Sequence, residues 1–143
     1  MTTTDTILLV EDNDDDVFFL QHAWSVAGVP NPLKVVRDGQ QALAYLGGTG
    51  DYADRAKFPL PSLVLLDLKL PFLNGHEVLS WLRAHPVLRR TLVVFLTSSK
   101  ENTDVRKAYE LGANGYLAKP ASAGQLTDMV KALRAYWLEL NVS

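Results

Sequence analysis

The chain has 143 residues, of which 48% are hydrophobic, 21% charged and 9% aromatic. This is ordinary globular composition for one domain with its own core, and it excludes disordered, collagen-like and coiled-coil architectures. The absence of cysteine removes disulfide scaffolds, iron–sulfur sites and thiol catalysis, and 16 acidic against 14 basic residues (net charge -2) give no basic stripe for nucleic acid.

Met1-Thr2-Thr3-Thr4-Asp5 lacks the basic and apolar regions of a signal peptide, and every apolar run is far shorter than a bilayer span. A soluble, cytoplasmic single domain over residues 1–143 is expected, with neither DNA nor membrane as partner. Ile7-Leu8-Leu9-Val10 is the first of three short, continuous apolar runs; Leu63 to Leu66 and Leu92 to Leu96 are the others. Such runs suit strands buried on both faces of a parallel sheet. Leu33 to Val36 and Gly115 to Leu117 are weaker strand candidates.

Helical patterns fill the intervals. Asp14-Asp15-Asp16 offers an N-cap and dipole-compatible charge to a helix carrying Val17, Leu20, Trp24 and Ala27 on one face, ended by Gly28 and Pro30. Asp38-Gly39 opens a short helix through Ala42, Leu43 and Leu46. Asn74 caps another with Val78, Leu79 and Leu82, stopped by Pro86. A fourth spans about Thr103 to Leu111, with Gly112 as its left-handed cap. The last starts near Ser122 and aligns Leu126, Met129, Val130, Leu133, Trp137 and Leu140. Five β-α repeats predict a doubly wound, five-stranded parallel sheet with helices on both faces. The segment from Gly47 to Pro61 is long for a connection, and long loops tend to carry function.

Ligands of open α/β sheets bind beyond the carboxyl ends of the strands. Those ends read Glu11-Asp12, Asp67, Thr97 and Lys119-Pro120. Three crowded carboxylates repel one another, and a hard divalent cation such as Mg2+ relieves that repulsion. A lysine and a hydroxyl then suit the remaining oxygens of a phosphoryl group. One strand-end acid is ordinarily a solvated charge; four strand ends in register are not explained that way. His22, His76 and His85 lack metal spacing and read as surface or helix-end residues. Gly47-Gly48-Thr49-Gly50 lacks the Lys-Ser/Thr of a phosphate loop, and Arg89-Arg90 reads as a solvated turn.

Across nearly its whole length the sequence resembles the receiver domain of two-component response regulators, a flavodoxin-like (β/α)5 fold. The resemblance rests on Leu8-Leu9-Val10-Glu11-Asp12-Asn13, Asp67-Leu68-Lys69-Leu70-Pro71 with Gly75, Leu96-Thr97-Ser98-Ser99, and Gly112 to Pro120. It implies that Asp67 is the phosphoacceptor. It also implies a Mg2+ site of Glu11, Asp12, Asp67 and the Lys69 backbone carbonyl, with Mn2+ or Ca2+ able to substitute. Thr97 and Lys119 would meet the phosphoryl oxygens, the Lys119-Pro120 bond would be cis, and Tyr116 would swing inward as Thr97 moves. Leu70 stands where the family often has Met, and Ser98 where many members have Ala. The donor would be a sensor histidine kinase. Tyr52, Pro59, Leu60, Pro61, the Leu-Lys-Leu-Pro motif and the aromatic C-terminus resemble the single-domain regulators of bacterial phytochromes, so no output domain is expected.

Two other readings compete. A phosphorylation-independent interaction domain would typically have lost one of the five site residues, and all are present. An Asp-nucleophile phosphatase of the haloacid dehalogenase type needs a second acid two residues on, where Lys69 stands. Tyr136 and Leu138 flank Trp137 on other faces of the last helix, which predicts a homodimer built partly on that helix.

Overall fold

The computed structural model describes residues 2–140, with side chains through Trp137. Strands β1 (Thr6–Val10), β2 (Leu33–Val36), β3 (Pro61–Leu66), β4 (Leu92–Thr97) and β5 (Gly115–Ala118) form one parallel sheet in the order β2-β1-β3-β4-β5. They alternate with α1 (Asp14–Val26), α2 (Gly39–Gly47), α3 (Gly75–Ala84), α4 (Asn102–Glu110) and α5 (Ala123–Leu133). The architecture is the expected α/β flavodoxin-like fold, and the chain order reverses between β1 and β3, where such sheets bind ligands.

Two apolar layers sandwich the sheet because successive strand residues point to opposite faces. Leu8, Val10, Val64, Leu66, Val93 and Phe95 face α2, α3 and α4. Ile7, Leu9, Leu63, Leu65, Val94 and Leu96 face α1 and α5. Most of these side chains are completely buried, each contributing about 1.5–3 kcal/mol of apolar transfer. That explains why the runs are continuous rather than alternating.

Helix starts follow the capping residues. Asn13, one residue before the acidic triplet, caps α1 by accepting from Asp16 N–H, leaving all three aspartates in the first turn. Asp38 caps α2, Asn74 forms a capping box with Glu77 on α3, and Ser122 caps α5. Gly112 follows α4 with φ +100, as its left-handed position requires. His85 closes α3, its Nδ1 accepting from Val87 and Leu88 N–H. Beyond Leu133 the last helix widens into a π-helix over Arg134–Leu140. The Arg134 guanidinium there donates to the carbonyl of Gly28 after α1. Val130 and Leu133 are buried, Leu126, Met129 and Trp137 partly so, and Tyr136 is exposed. Leu138 and Leu140 lie outside the described side chains.

The long connection before β3 is packed rather than loose. Arg55 Nη1 donates to the carbonyls of Tyr45 and Phe58 at 2.7 and 3.2 Å, and Nη2 to that of Leu46 at 2.9 Å. The guanidinium thereby closes the C-terminal turn of α2, whose carbonyls lack intrahelical partners. Tyr45, Tyr52 and Phe58 pack ring to ring at 5.0–5.9 Å, and the Tyr45 hydroxyl donates to Pro59 O at 2.8 Å. Replacing Arg55 with Ala is expected to cost about 2–3 kcal/mol, read from the urea midpoint, because three carbonyls lose a charged donor. A loss below 0.5 kcal/mol would show that the loop is held by its rings alone.

Candidate functional site

Hydrogen bonds that continue the strand ladders place the site. Glu11 N–H donates to Val36 O, Asp67 N–H to Val10 O and Lys119 N–H to Thr97 O, at 2.8–3.1 Å. Each strand's last apolar residue therefore hands on directly to a polar one at a fixed height above the sheet. Glu11, Asp67 and Thr97 are buried, while Asp12 is exposed.

Glu11, Asp12 and Asp67 each present a carboxylate oxygen within 4.8 Å of the other two. Hard oxygen donors at this spacing fit a divalent cation such as Mg2+, which is satisfied by one or two carboxylates plus waters and phosphate oxygens. Lys119 spans the group: its Nζ lies 2.5 Å from Glu11, 2.9 Å from Asp16 and 3.1 Å from Asp67. Burial acts against the lysine's charge, but hydrogen bonds to Glu11 and Asp16 and the field of Asp67 outweigh it and raise its pKa. Burial pushes Glu11 up to about 7, opposed by Lys119 and reinforced by Asp67. The ammonium stays charged, and Glu11 is the acid that burial pushes toward its protonated form.

That proton has a measurable consequence. A cation binding Glu11 must displace it, so affinity for Mg2+ is expected to fall by up to about tenfold per pH unit below pH 7 and to level off above. Calorimetric titration between pH 5.5 and 8.5 reads this directly, and a flat profile would exclude Glu11 as the titrating ligand. The sign for stability is opposite to that of an ordinary paired acid. The folded state holds this proton more tightly than the unfolded chain, so stability is lost as pH rises from the normal carboxylate range through about 7.

Thr97 and Tyr116 are joined through Ser99. Ser99 N–H donates to Thr97 Oγ1 at 3.4 Å, and the Tyr116 hydroxyl donates to Ser99 O at 3.0 Å. Ser99 Oγ in turn donates to Asp104 Oδ2 at 2.5 Å, tying the segment to the first turn of α4. The Tyr116 ring stacks on Phe95 with centroids 5.6 Å apart, so the aromatic already lies against the core beneath the site. Burial raises the phenol's pKa, which keeps it a donor. Ser98 and Lys69 are exposed at the rim. The Lys119-Pro120 bond, expected to be cis, is trans, the form that X–Pro bonds favour by about 0.5–1 kcal/mol; among the described residues no peptide bond is cis.

The sequence reading missed Asp16, taken only as a helix-dipole charge, and the Ser99–Asp104 pair. The signal for Asp16 was its place in the third position of α1, where a helical side chain leans back toward the N-terminus and so over the strand ends. His76, read as a surface or helix-end residue, does lie at the start of α3 but is buried there, its Nε2 against Asp104 O at 3.2 Å and its ring edge-on to Phe95.

A sheet of this order, with clustered acids, a hydroxyl and a lysine at its carboxyl edge, has the architecture of a signalling receiver domain. The response regulator receiver domain family matches residues 7–131, and the chain belongs to that family. It is 40% identical over 133 residues to the response regulator Rcp1 of Synechocystis sp., covering 93% of this chain and 88% of Rcp1. A crystal structure of the phosphorylated cyanobacterial phytochrome response regulator RcpA superposes with a TM-score of 0.89 at 39% identity, covering 97% of each chain. The Mn2+-bound form of Rcp1 superposes with a TM-score of 0.86 at 38% identity, covering 96% of this chain and 97% of the other. The protein is a two-component signalling receiver, a class whose partner is a histidine kinase. No helix among the described residues is long and apolar enough to cross a membrane.

Proposed function

We propose that Asp67 accepts a phosphoryl group from the phosphohistidine of a sensor histidine kinase, in a reaction dependent on Mg2+ held by Glu11, Asp12, Asp67 and the Lys69 backbone carbonyl. The observation that carries this reading is the buried Asp67 carboxylate at the point where strand order reverses, within 3.1 Å of Lys119 and beside two further acids. The bound cation supplies charge neutralisation for the phosphoryl oxygens, and Mn2+ or Ca2+ can take its place; the Mn2+-bound structure of Rcp1 supports this.

The chain's own residues do the rest. An Asp67 oxygen attacks phosphorus, the new O–P bond forming as the N–P bond to the donor imidazole breaks. Lys119 follows the transferred negative charge, and the Thr97 hydroxyl donates to a phosphoryl oxygen. Movement of Thr97 then pulls on the Ser99 segment that Tyr116 grips, altering the surface of α4 and β5. The domain assists its own phosphorylation and dephosphorylation rather than turning over a separate substrate.

The likeness to RcpA and Rcp1 supports a bacterial phytochrome as the cognate kinase, acting in the cytoplasm, where the kinase's ATP is supplied. Phe18 and Phe19 on α1 are exposed, and Phe19 lines the pocket shared with Lys119 and Pro120, so a donor domain can dock beside the acceptor. Exposed Tyr136, packed edge-on against Trp137, supports a homodimer through the C-terminal helix. The phosphotransfer test uses labelled acetyl phosphate and a panel of purified histidine kinases, each with Mg2+ and with EDTA. Incorporation from acetyl phosphate with Mg2+ but not with EDTA is expected, together with fast transfer from a phytochrome kinase. Incorporation unaffected by EDTA would exclude the metal-dependent mechanism.

A further inference from the structure

Lys119 makes one contact that the phosphorylation site does not explain. Two of its three carboxylate partners, Glu11 and Asp67, belong to the cluster that suits a cation. The third, Asp16, comes from the first turn of α1 and is outside that cluster. Asp16 is not needed to cap its helix, because the Asn13 side chain caps α1 and accepts from Asp16 N–H. Its carboxylate is only partly exposed and aimed at the ammonium, at 2.9 Å. Asp15, one residue earlier, is exposed and carries the same charge.

Space is available for the ammonium to move. A pocket of about 160 Å3 opens where α1 meets the β5–α5 loop, and Glu11, Asp16, Phe19 and Lys119 are among its lining residues. The aliphatic stem of Lys119 can therefore shift toward α1 without displacing packed core.

These observations lead to a division of labour, which rests on the phosphorylation reading above. We propose that Asp16 is a positioning residue: it draws the Lys119 ammonium aside when a divalent cation takes Glu11 and Asp67, and so lowers the competition between lysine and cation for those two acids. Without Asp16, the ammonium has no carboxylate partner among the described residues besides Glu11 and Asp67, where it opposes cation binding. With it, the lysine keeps its Asp16 contact and waits beside α1 until a phosphoryl group arrives.

The test is Mg2+ titration calorimetry on the full chain at pH 8 and fixed ionic strength. Asp16→Asn should weaken Mg2+ binding about fivefold, the upper range for a partly exposed ion pair, and Asp15→Asn less than twofold. In a Lys119→Met background, Asp16→Asn should fall to the Asp15→Asn level, because the residue it positions is gone. Asp16→Glu should restore most of the affinity, separating loss of charge from loss of fold. Equal losses for Asp15→Asn and Asp16→Asn would overturn the proposal, since Asp16 would then act as a distant charge. An undiminished Asp16→Asn loss in the Lys119→Met background would overturn it too. If the wild-type chain binds no Mg2+, the metal-dependent reading fails and takes this proposal with it, an outcome visible before any variant is made.

Discussion

Asp67→Asn should lower phosphoryl incorporation at least about a hundredfold with either acetyl phosphate or kinase as donor, because a neutral amide oxygen is a poor nucleophile toward phosphorus. The same change should leave the melting temperature unchanged or raise it. Asp67 is buried among Glu11, Asp12 and Lys119, and removing one negative charge relieves repulsion while Lys119 keeps Glu11 and Asp16. The two readouts together separate chemistry from folding. Incorporation above a tenth of wild type would move the acceptor to another residue. A large fall in melting temperature would instead make Asp67 a structural acid.

Gly75→Ala should be strongly destabilising for a single added methyl group. A Cβ there would stand 2.4 Å from Asp67 O, 2.7 Å from Phe95 Cε1 and 3.0 Å from Leu68 Cα. Two of these atoms are backbone and the third is a fully buried ring, so none can yield cheaply. Gly75 N–H also donates to Leu68 O at 2.8 Å, which brings the start of α3 against the loop after Asp67. The expected loss is about 3 kcal/mol, at the top of the usual range for overpacking, with slower phosphorylation because the Asp67 carbonyl must move. Gly124→Ala is the matched control: nothing lies within 4 Å of its added methyl, and an alanine in the first turns of α5 should gain about 0.4–1 kcal/mol. Urea unfolding of both variants checks the pair, and equal stabilities would mean that the tight approach at Gly75 is not maintained in solution.

The sheet was legible because its signal is strong and local. Ile7 to Val10, Leu63 to Leu66 and Leu92 to Leu96 can be continuous only if both faces of the strand are covered. Once the strand ends were known, Glu11, Asp12, Asp67, Thr97 and Lys119 followed, because parallel strands bring their carboxyl ends to one edge. What escaped depends on contacts between distant segments. Asp16 meets Lys119 across 103 positions of chain, and no periodicity records that distance. The π-helical turn after Leu133 follows from no propensity of Arg134 or Ala135; there the Arg134 guanidinium reaches the carbonyl of Gly28. The segment from Gly47 to Pro61 looked irregular because its order comes from Arg55 and three rings rather than from a repeating backbone pattern.

That segment also bears on how the chain comes apart. A long exposed connection is ordinarily the place where a protease first gains entry, since its backbone can open without disturbing the core. Here opening the segment releases three carbonyls from Arg55, uncovers Tyr45 and frees the end of α2 in the same event. The connection therefore shares the fate of the α2 end it holds. Slow amide exchange should extend through it, and limited digestion should find its first cut elsewhere on the surface.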